Sequence, residues 1–439
     1  MKLYITYIVR ILIETLFFQK EKREARKVSF QLSYKTSAQE ICRFQDYRLK
    51  SLLSVAAKKA TYYLNYSGKS IIEFPVVDKD ILRLNEPEFV NSEFPSFKKI
   101  KFTTGGSTGE PFAFYVSRLS GLVDRYHAQA FYKKIGLKSG DRIFSFDGML
   151  PSDEMISKNI YWKRTRYEEL PYGSVHFSVM NLNEKTFQYY LSELNNSKPS
   201  YIRSYPSAIV DLAKFIEQSG TEIQFKLKGL VLSSENIYDW QIELLNRVFD
   251  APVYGQYGHS EVCVFAYTEA NSLVYKCSPY YGYTEVLNKE GKQVNVGEVG
   301  NIVVTGFYNE AMFFIRYDTG DMAEFGGYDE NGYLIFNQIL GREQEFIYNN
   351  ESGSVNITAL IFGQHYKAFE HIKKWRILQN EEGKVIILII KDEKYTSDDE
   401  SEIFRKFKEF GVDVTFEYTD QIPLSRRGKH QLVVQNIKK

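Results

Sequence analysis

Short apolar segments alternate with helical patterns between residues 120 and 255, and this alternation strongly limits the folds open to the chain. Helices are predicted over 40–66, 120–135, 185–194, 207–218 and 237–249. Strands are predicted over 141–146, 201–206, 227–232 and 253–255. Strands that alternate with crossover helices generally run parallel in one sheet. The pattern therefore predicts an α/β body with largely parallel sheets covered by helices.

The pattern changes between residues 275 and 336. Short alternating runs such as 283–287 and 300–305 are separated by Gly, Asn and Lys turns, which predicts a meander or small β-barrel-like subdomain. From about Gly341 onward, strands at 384–391 and 412–418 flank a helix at 397–410 and indicate a small α+β domain. A chain of 439 residues exceeds the usual size of one domain. We predict a large N-terminal domain over residues 1–340 and a small C-terminal domain over 341–439.

Composition excludes several classes of protein. The net charge of +1 gives no electrostatic basis for binding nucleic acid. Three cysteines argue against a disulfide framework and favour a reducing compartment. The apolar run 1–18 contains Lys2, Arg10 and Glu14, so no stable membrane insertion is expected. The basic run 20–27 after it permits a surface helix at a membrane, but a helix docked on the protein body is favoured. We therefore predict a soluble cytoplasmic protein.

A loop rich in glycine and hydroxyl side chains occupies residues 103–111 and precedes the apolar run 112–116. The sequence predicts a strand, a loop and a second strand. Glycines let backbone N–H groups approach an anion closely, and Ser or Thr hydroxyls add further donors. A polyphosphate is the expected guest, although an ordinary hairpin loop has the same composition. The segment lacks the Gly-Lys-Ser/Thr of a Walker A loop.

Further motifs follow this loop in a fixed order: Tyr254–Glu261, Arg316–Asp321, Gly341–Ile347 and Arg427–Val434. With the loop, they resemble the core motifs of the adenylate-forming enzymes, which include acyl-CoA ligases, luciferases and peptide-synthetase adenylation domains. The resemblance spans about residues 70–435. Segments 74–82 and 205–208 are similar to the phenylacetate-CoA ligase branch, and particularly to its subfamily associated with capsular polysaccharide biosynthesis.

The resemblance implies an activity that uses ATP and Mg²⁺. A carboxylic acid would be activated as an acyl-adenylate with release of pyrophosphate. The acyl group would then pass to CoA, or to an amine or hydroxyl of a sugar or amino acid, in surface polysaccharide biosynthesis. The alternative is a non-catalytic nucleotide-binding or scaffold protein that keeps the fold. A kinase is disfavoured because the chain has no Gly-Lys-Ser/Thr loop.

The resemblance also assigns roles to individual residues. The phosphates of ATP would meet the loop, whose matching residues are Thr103, Thr104, Ser107, Thr108 and Gly109. The rest of the nucleotide would meet Tyr257 and Gly258 at the adenine, Asp321 at the ribose hydroxyls and Arg342 at ribose and phosphate. Glu261 would be the magnesium ligand and a catalytic residue, and Lys429 would bridge the carboxylate and the α-phosphate. His259 and Ser234 would contact the carboxylic acid.

Each assignment has a plainer alternative. Tyr257 could pack in the core, Asp321 could serve a Thr-Gly-Asp turn, and Lys429 could be one of several solvated basic residues. The C-terminal domain is expected to rotate between the two half-reactions. At the hinge, where relatives usually carry Asp or Lys, this chain has Gln344.

Two cysteines near the tyrosine-glycine motif raise the question of zinc. Cys263 and Cys277 accompany His259, but no Cys-x-x-Cys pair and no second nearby histidine complete a four-ligand set. We therefore interpret both cysteines as structural.

Overall fold

The computed structural model describes residues 18–33, 36–104, 112–169, 171–342, 346–350, 354–356, 368, 371–424 and 430–437. In this part of the chain the α-helices are α1 (Gln19–Phe30), α2 (Ala38–Lys59), α3 (Lys79–Leu84), α4 (Glu86–Phe89), α5 (Arg118–Lys134), α6 (Asp153–Ser157), α7 (Phe187–Ser197), α8 (Pro206–Ser219), α9 (Asp239–Phe249) and α10 (Ser397–Glu409).

The described strands from the N-terminus to residue 287 are β1 (Lys99–Thr104), β2 (Phe112–Ser117), β3 (Ile143–Asp147), β4 (Trp162–Glu169), β5 (Gly173–Ser178), β6 (Tyr201–Ser204), β7 (Gly229–Ser233), β8 (Val253–Gly258), β9 (Phe265–Thr268), β10 (Tyr275–Cys277) and β11 (Gly282–Leu287). The later strands are β12 (Val299–Gly306), β13 (Tyr317–Tyr328), β14 (Leu334–Arg342), β15 (Phe346–Tyr348), β16 (Ser354–Asn356), β17 (Ile372–Glu381), β18 (Lys384–Lys391), β19 (Asp413–Tyr418) and β20 (Val433–Gln435).

The chain divides into two compact units, and the first comprises residues 1–141, 169–171 and 255–338. Its strands follow the order β11, β12, β13, β14, β10, β9, β8, and the pairs β11–β12, β12–β13, β14–β10, β10–β9 and β9–β8 are antiparallel. Strands β11 to β14 are neighbours in chain order, so the meander predicted from the sequence is present. Arg316 fixes this sheet to the preceding chain, because its guanidinium reaches the carbonyl oxygens of Ile72 and Phe74 at 3.3 and 3.1 Å.

Helices α2, α3 and α5 of the first unit begin where the sequence supplies a capping side chain. Asp78 accepts a hydrogen bond of 2.8 Å from the N–H of Ile81 at the start of α3. Ser117 caps α5 by accepting from the N–H of Ser120 at 3.0 Å. The capped helices present buried apolar faces to the core of this unit, which explains why they form there.

The second unit comprises residues 142–168, 172–254 and 339–439. Its strands β7, β6, β3 and β5 are neighbours in that order and run parallel, and β4 follows at the edge. The carboxyl ends of parallel strands meet at one edge of a sheet, where ligands of α/β proteins commonly bind. Asp147, Ser204 and Ser233 occupy the ends of β3, β6 and β7 at this edge.

A smaller sheet lies in the C-terminal part of the second unit. Its strand order is β19, β18, β17, β20, and α10 packs on it through buried Ile403 and Phe407. The alternating burial of β18 places Val385, Ile387 and Ile389 in the same core. This arrangement is the small α+β unit predicted from the sequence.

The α/β fold class and the separate small C-terminal sheet with its helix are confirmed. Strands β4, β5 and β17 were not predicted, and Pro206 begins α8 rather than ending the strand before it. The domain boundary at residue 340 stays a prediction, as does rotation of the last domain. Within the described residues, no helix is both long and apolar enough to cross a membrane.

Candidate active site

The glycine-rich segment connects two paired strands, as the sequence predicts. Strands β1 and β2 are antiparallel, and Thr104 pairs with Phe112. The predicted phosphate contacts Ser107, Thr108 and Gly109 lie outside the described residues, as do the side chains of Thr103 and Thr104. Their role in binding phosphate therefore stays a prediction.

The chain makes a tight turn directly after β8, and this turn carries several predicted site residues. Val262 donates its N–H to the carbonyl of His259 at 3.1 Å and closes the turn. Val262 has a φ of 59°, a left-handed conformation that is uncommon for a β-branched residue. Such strain persists only where the surrounding structure imposes it. The turn therefore gives a fixed backbone position to Glu261.

The carboxylate of Glu261 is enclosed by aromatic and imidazole groups. The residue is 6% exposed, and its Oε1 accepts a hydrogen bond of 3.4 Å from the Tyr317 hydroxyl. Nδ1 of His259 lies 3.2 Å from Glu261 Oε2, although its direction does not make a hydrogen bond. Among the described residues, neither ring nitrogen of His259 has a hydrogen-bond partner, and both are buried. A buried polar ring beside a carboxylate is a candidate contact for a ligand.

Asp321 and Tyr257 meet in the same unit. The hydroxyl of Tyr257 donates a hydrogen bond of 2.8 Å to Asp321 Oδ2. Burial is the main cause that raises the pKa of Tyr257 well above its usual value, and the charge of Asp321 adds to it. Tyr257 therefore stays protonated and donates at neutral pH. An edge-on contact with Phe336, 6.3 Å between ring centres, fixes the ring further.

A short turn sets the position of Asp321 on β13. Its N–H donates to Thr319 Oγ1 at 3.1 Å, and that hydroxyl donates to the carbonyl of Ile302 at 2.9 Å. Gly320 has a φ of 73°, which glycine adopts readily. The plainer Thr-Gly-Asp turn is therefore present, and it holds the carboxylate where Tyr257 reaches it.

The remaining predicted residues are Ser234, Arg342 and Lys429, with the hinge residue Gln344, and Gly258 of the first unit. Ser234 follows β7 with a φ of 73° and is exposed. Arg342 is the last residue of β14, and its side chain lies outside the part of the chain that the structure describes. Lys429 and Gln344 also lie outside the described residues. Gly258 ends β8, and a Cβ there would approach the carbonyl of Val264 to 3.1 Å.

Neither buried cysteine joins a metal cluster in the part of the chain that the structure describes, where no group of three or more metal-ligating side chains is found. Cys263 donates through Sγ to the carbonyl of Glu261 at 3.2 Å. Burial raises the pKa of both Cys263 and Cys277 well above the usual value, which keeps the thiols protonated. Cys263 therefore supports the turn that carries Glu261.

Sequence reasoning gave no role to Tyr317, although it lies within the quoted Arg316–Asp321 motif. Its hydroxyl contacts Glu261, and its ring meets His259 edge-on at 6.0 Å between centres. The signal available in the sequence was its position between Arg316 and Asp321 in one motif. Tyr317 therefore joins two motifs that are far apart in the chain.

Two solved structures that share this fold are named as a CoA ligase and an amido synthetase. A 2-hydroxyisobutyryl-CoA ligase in the postadenylation state, in complex with 2-HIB-AMP, matches with a TM-score of 0.70 and 18% identity over 91% of this chain and 90% of that one. A GH3.15 acyl acid amido synthetase matches with a TM-score of 0.57 and 14% identity over 91% of this chain and 87% of that one. The resemblance to this superfamily is confirmed at the level of the fold.

A particular relative is also found by sequence. The chain is similar to Protein CapK of Staphylococcus aureus, with 24% identity over 422 residues, 91% of this chain and 90% of the relative. Residues 347–436 match the family model described as the CapK C-terminal domain. The sequence similarity therefore extends over nearly the whole of both chains.

Proposed function

We propose that this protein activates a carboxylic acid with ATP as an acyl-adenylate and releases pyrophosphate. The observation that supports this best is the pair of acidic side chains in the first unit, each held by a tyrosine hydroxyl. Asp321 is held by Tyr257 at 2.8 Å, and Glu261 by Tyr317 at 3.4 Å. A carboxylate is a poor electrophile until one oxygen becomes a good leaving group, and AMP supplies that group.

Asp321 binds the ribose of ATP in this proposal. The two oxygens of a carboxylate suit the vicinal hydroxyls of a ribose, which are both donors. Tyr257 holds Asp321 in place while its ring offers a flat surface to the adenine. Tyr257 would therefore position Asp321 in addition to contacting the adenine.

Glu261 is the residue that would hold Mg²⁺. Its carboxylate is buried, and among the described residues it belongs to no group of three or more potential metal ligands. Mg²⁺ commonly takes only one or two protein carboxylates and completes its octahedron with water and phosphate oxygens, so the residues present fit this ion. When bound, the ion neutralises charge on the phosphate oxygens. His259, buried beside it, would donate from a ring nitrogen to the substrate carboxylate.

The remaining residues predicted from the sequence complete the proposal. Lys429 would place an ammonium between the carboxylate and the α-phosphate, and the loop with Thr103, Thr104, Ser107, Thr108 and Gly109 would hold the other phosphates. Arg342 would contact ribose and phosphate through its planar guanidinium. Ser234, at the carboxyl end of β7, would contact the acid.

The second half of the reaction transfers the acyl group to CoA, or to an amine or hydroxyl of a sugar or amino acid. One structural relative is named a CoA ligase and another an amido synthetase, so the shared fold accommodates both acceptor classes. The name of CapK suggests a role in capsule formation, which supports an acceptor in surface polysaccharide biosynthesis. We place this activity in the cytoplasm and in the phenylacetate-CoA ligase-like branch.

A pyrophosphate-exchange screen tests the proposal. The full chain would be incubated with ATP, Mg²⁺, labelled pyrophosphate and panels of aryl acids, short fatty acids and amino acids. We expect one class of acid to support exchange, with pyrophosphate rather than ADP as product. ADP would identify a kinase. ATP binding without exchange for any acid would favour a nucleotide-binding scaffold.

A lysine variant separates binding from chemistry. Lys429→Ala should abolish exchange, because charge between two approaching anions is no longer neutralised, while ATP binding measured by calorimetry stays nearly unchanged. Loss of both together would contradict the assigned role. Lys394→Ala, at an exposed position after β18, is the matched control and should retain exchange.

A further inference from the structure

Helix α1 is docked on the body of the first unit through one of its faces. Three residues of that face are buried: Ala25, Val28 and Ser29. The Ser29 hydroxyl lies 3.1 Å from Nδ1 of His127 on α5, and Nε of Arg26 donates to the hydroxyl of Tyr126 on the same helix at 3.0 Å. The rotation of α1 about its own axis is therefore fixed, and with it the set of side chains that the helix presents to solvent.

Both acidic side chains of α1 are paired with basic residues of the same unit. Glu21 Oε1 lies 2.6 Å from Nζ of Lys98, which precedes β1. Glu24 Oε1 lies 3.8 Å from Nη1 of Arg48 on α2. The negative charges of the helix are therefore neutralised by the body of the protein, and they do not offset the charge of its exposed side.

Basic side chains occupy the side of α1 opposite its buried face. Lys20, Arg23 and Lys27 are exposed and form no salt bridge within the part of the chain that the structure describes. At about 3.6 residues per turn, these positions and that of Phe30 fall within about 80° of one another around the helix axis. Phe30 is 59% exposed. We call this set of three cations and one aromatic ring the basic stripe.

A second exposed aromatic ring lies at the N-terminal end of the helix. Phe97 is 63% exposed, and its ring centre is 6.4 Å from that of Phe18, the residue before α1. The helix has 12 residues and is therefore about 18 Å long. Exposed phenyl rings thus mark both ends of α1, with the cations of the basic stripe between them. Helices that lie on a membrane surface commonly combine Lys and Arg with aromatic side chains in this way.

We propose that α1 attaches the protein to the surface of an anionic lipid bilayer through the basic stripe, with Phe30 entering the headgroup region. This inference is independent of the proposed activation of an acid. Each Lys or Arg near a negatively charged membrane surface strengthens binding about fivefold. A soluble polyanion would also attract the cations, but lipid is favoured because it removes the exposed phenyl ring from water. Attachment of this kind is peripheral and needs no membrane-spanning helix.

The test measures co-sedimentation of the full chain with vesicles of phosphatidylcholine alone, or of phosphatidylcholine mixed equally with phosphatidylglycerol. Wild type should bind the mixed vesicles and not the neutral ones. Raising NaCl from about 0.1 M to about 0.5 M should weaken this binding by at least about tenfold. The stripe variant, which combines Lys20→Glu, Arg23→Glu and Lys27→Glu, should bind more than about 100-fold more weakly than wild type. Phe30→Ser should weaken binding about three- to tenfold, because the apolar contact is lost.

The matched control reverses the charge of exposed lysines in the second unit. The combination of Lys185→Glu, Lys226→Glu and Lys394→Glu changes the net charge by the same amount and should leave vesicle binding within about threefold of wild type. All the replaced side chains are exposed, so both combined variants should keep the circular dichroism of wild type.

Three results would overturn the proposal: binding of wild type to neutral vesicles as strong as to mixed ones, undiminished binding of the stripe variant, or equal losses in the stripe variant and its control. Heparin binding as strong as vesicle binding, together with wild-type vesicle binding by Phe30→Ser, would identify a site for soluble polyanions and would overturn it as well. Vesicle binding requires neither an acid nor ATP. Failure of the proposed activity would therefore leave this measurement unaffected.

Discussion

The hydroxyl of Tyr257 donates a 2.8 Å hydrogen bond to Asp321, and this bond joins β8 to β13 in the first unit. The acceptor is negatively charged, and the donor keeps its proton because burial and that charge both raise the pKa of Tyr257. The bond therefore persists at neutral pH. It links two motifs that lie 64 residues apart in the sequence.

Tyr257→Phe should weaken ATP binding without removing the ring that faces the adenine. Losing a hydrogen bond to a charged group is expected to raise the KM for ATP by roughly 10-fold, since Asp321 is then less well oriented for the ribose. Initial rates of pyrophosphate exchange at varied ATP concentration measure this change. Tyr328→Phe, on the strand that carries Asp321 but 59% exposed, is the control and should leave the KM for ATP unchanged. A KM for ATP in Tyr257→Phe equal to that of wild type would contradict the proposed role of Asp321 in binding the ribose.

Glu261→Gln should reduce pyrophosphate exchange by more than about 100-fold, because a neutral amide binds Mg²⁺ far more weakly than a carboxylate. The shape of the side chain and its contact with the Tyr317 hydroxyl are retained, so the fold should survive. Magnesium titration of the exchange rate measures the effect. Glu269→Gln, at an exposed surface pair with Lys134, should behave as wild type. Equal magnesium dependence in wild type and Glu261→Gln would exclude Glu261 as the ligand.

Local patterns predicted the elements that carry the site, but not its contacts. The cap at Asp78 and the helix after Ser207 could be predicted because caps and apolar spacing act over a few residues. Strand β4 was missed because its sequence is rich in charged residues and lacks an apolar alternation. Pairs such as Tyr257 with Asp321 depend on strand order, which one sequence does not encode locally.

The motif around Arg316 shows the same limit. Sequence order places this arginine in a motif with site residues, yet the residue is 5% exposed and its guanidinium binds Glu285 through two bonds of 3.0 and 3.1 Å. Desolvation is the main cause that raises the pKa of Glu285, with Arg316 opposing it. Arg316 therefore holds the sheet together beneath the site, while Tyr317 and Asp321 face it.

Glu285→Gln should lower the free energy of unfolding by about 3–5 kcal/mol, because it leaves a buried guanidinium without its charged partner. The urea midpoint and the melting temperature measure this loss. Glu290→Gln, which breaks the exposed pair with Lys292, is the control and should cost less than about 1 kcal/mol. The KM for ATP of folded Glu285→Gln should match wild type, since the pair is a structural support. Equal stabilities of Glu285→Gln and Glu290→Gln would contradict this role.

Acid should destabilise the first unit through His127, a residue of α5 that is fully buried. Its Nδ1 lies 3.0 Å from the carbonyl of Val123, and burial lowers the pKa of His127 from 6.5 to about 3. Below pH 6.5 the His127 imidazole is protonated in the unfolded chain, whereas in the folded chain it stays neutral until about pH 3. The free energy of unfolding should therefore fall as the pH falls through this window, by up to about 1.4 kcal/mol per pH unit from this residue.

The variant His127→Leu isolates this contribution. It loses the bond to Val123 and so has a different stability at pH 7, but it takes up no proton at position 127 in either state. Urea midpoints measured between about pH 7 and pH 4.5 should decline less steeply in His127→Leu than in wild type. His430 is also buried and neutral, but it is present in both proteins and cancels in the comparison. Parallel pH profiles for the two proteins would mean that His127 takes up its proton in the folded state as readily as in the unfolded one.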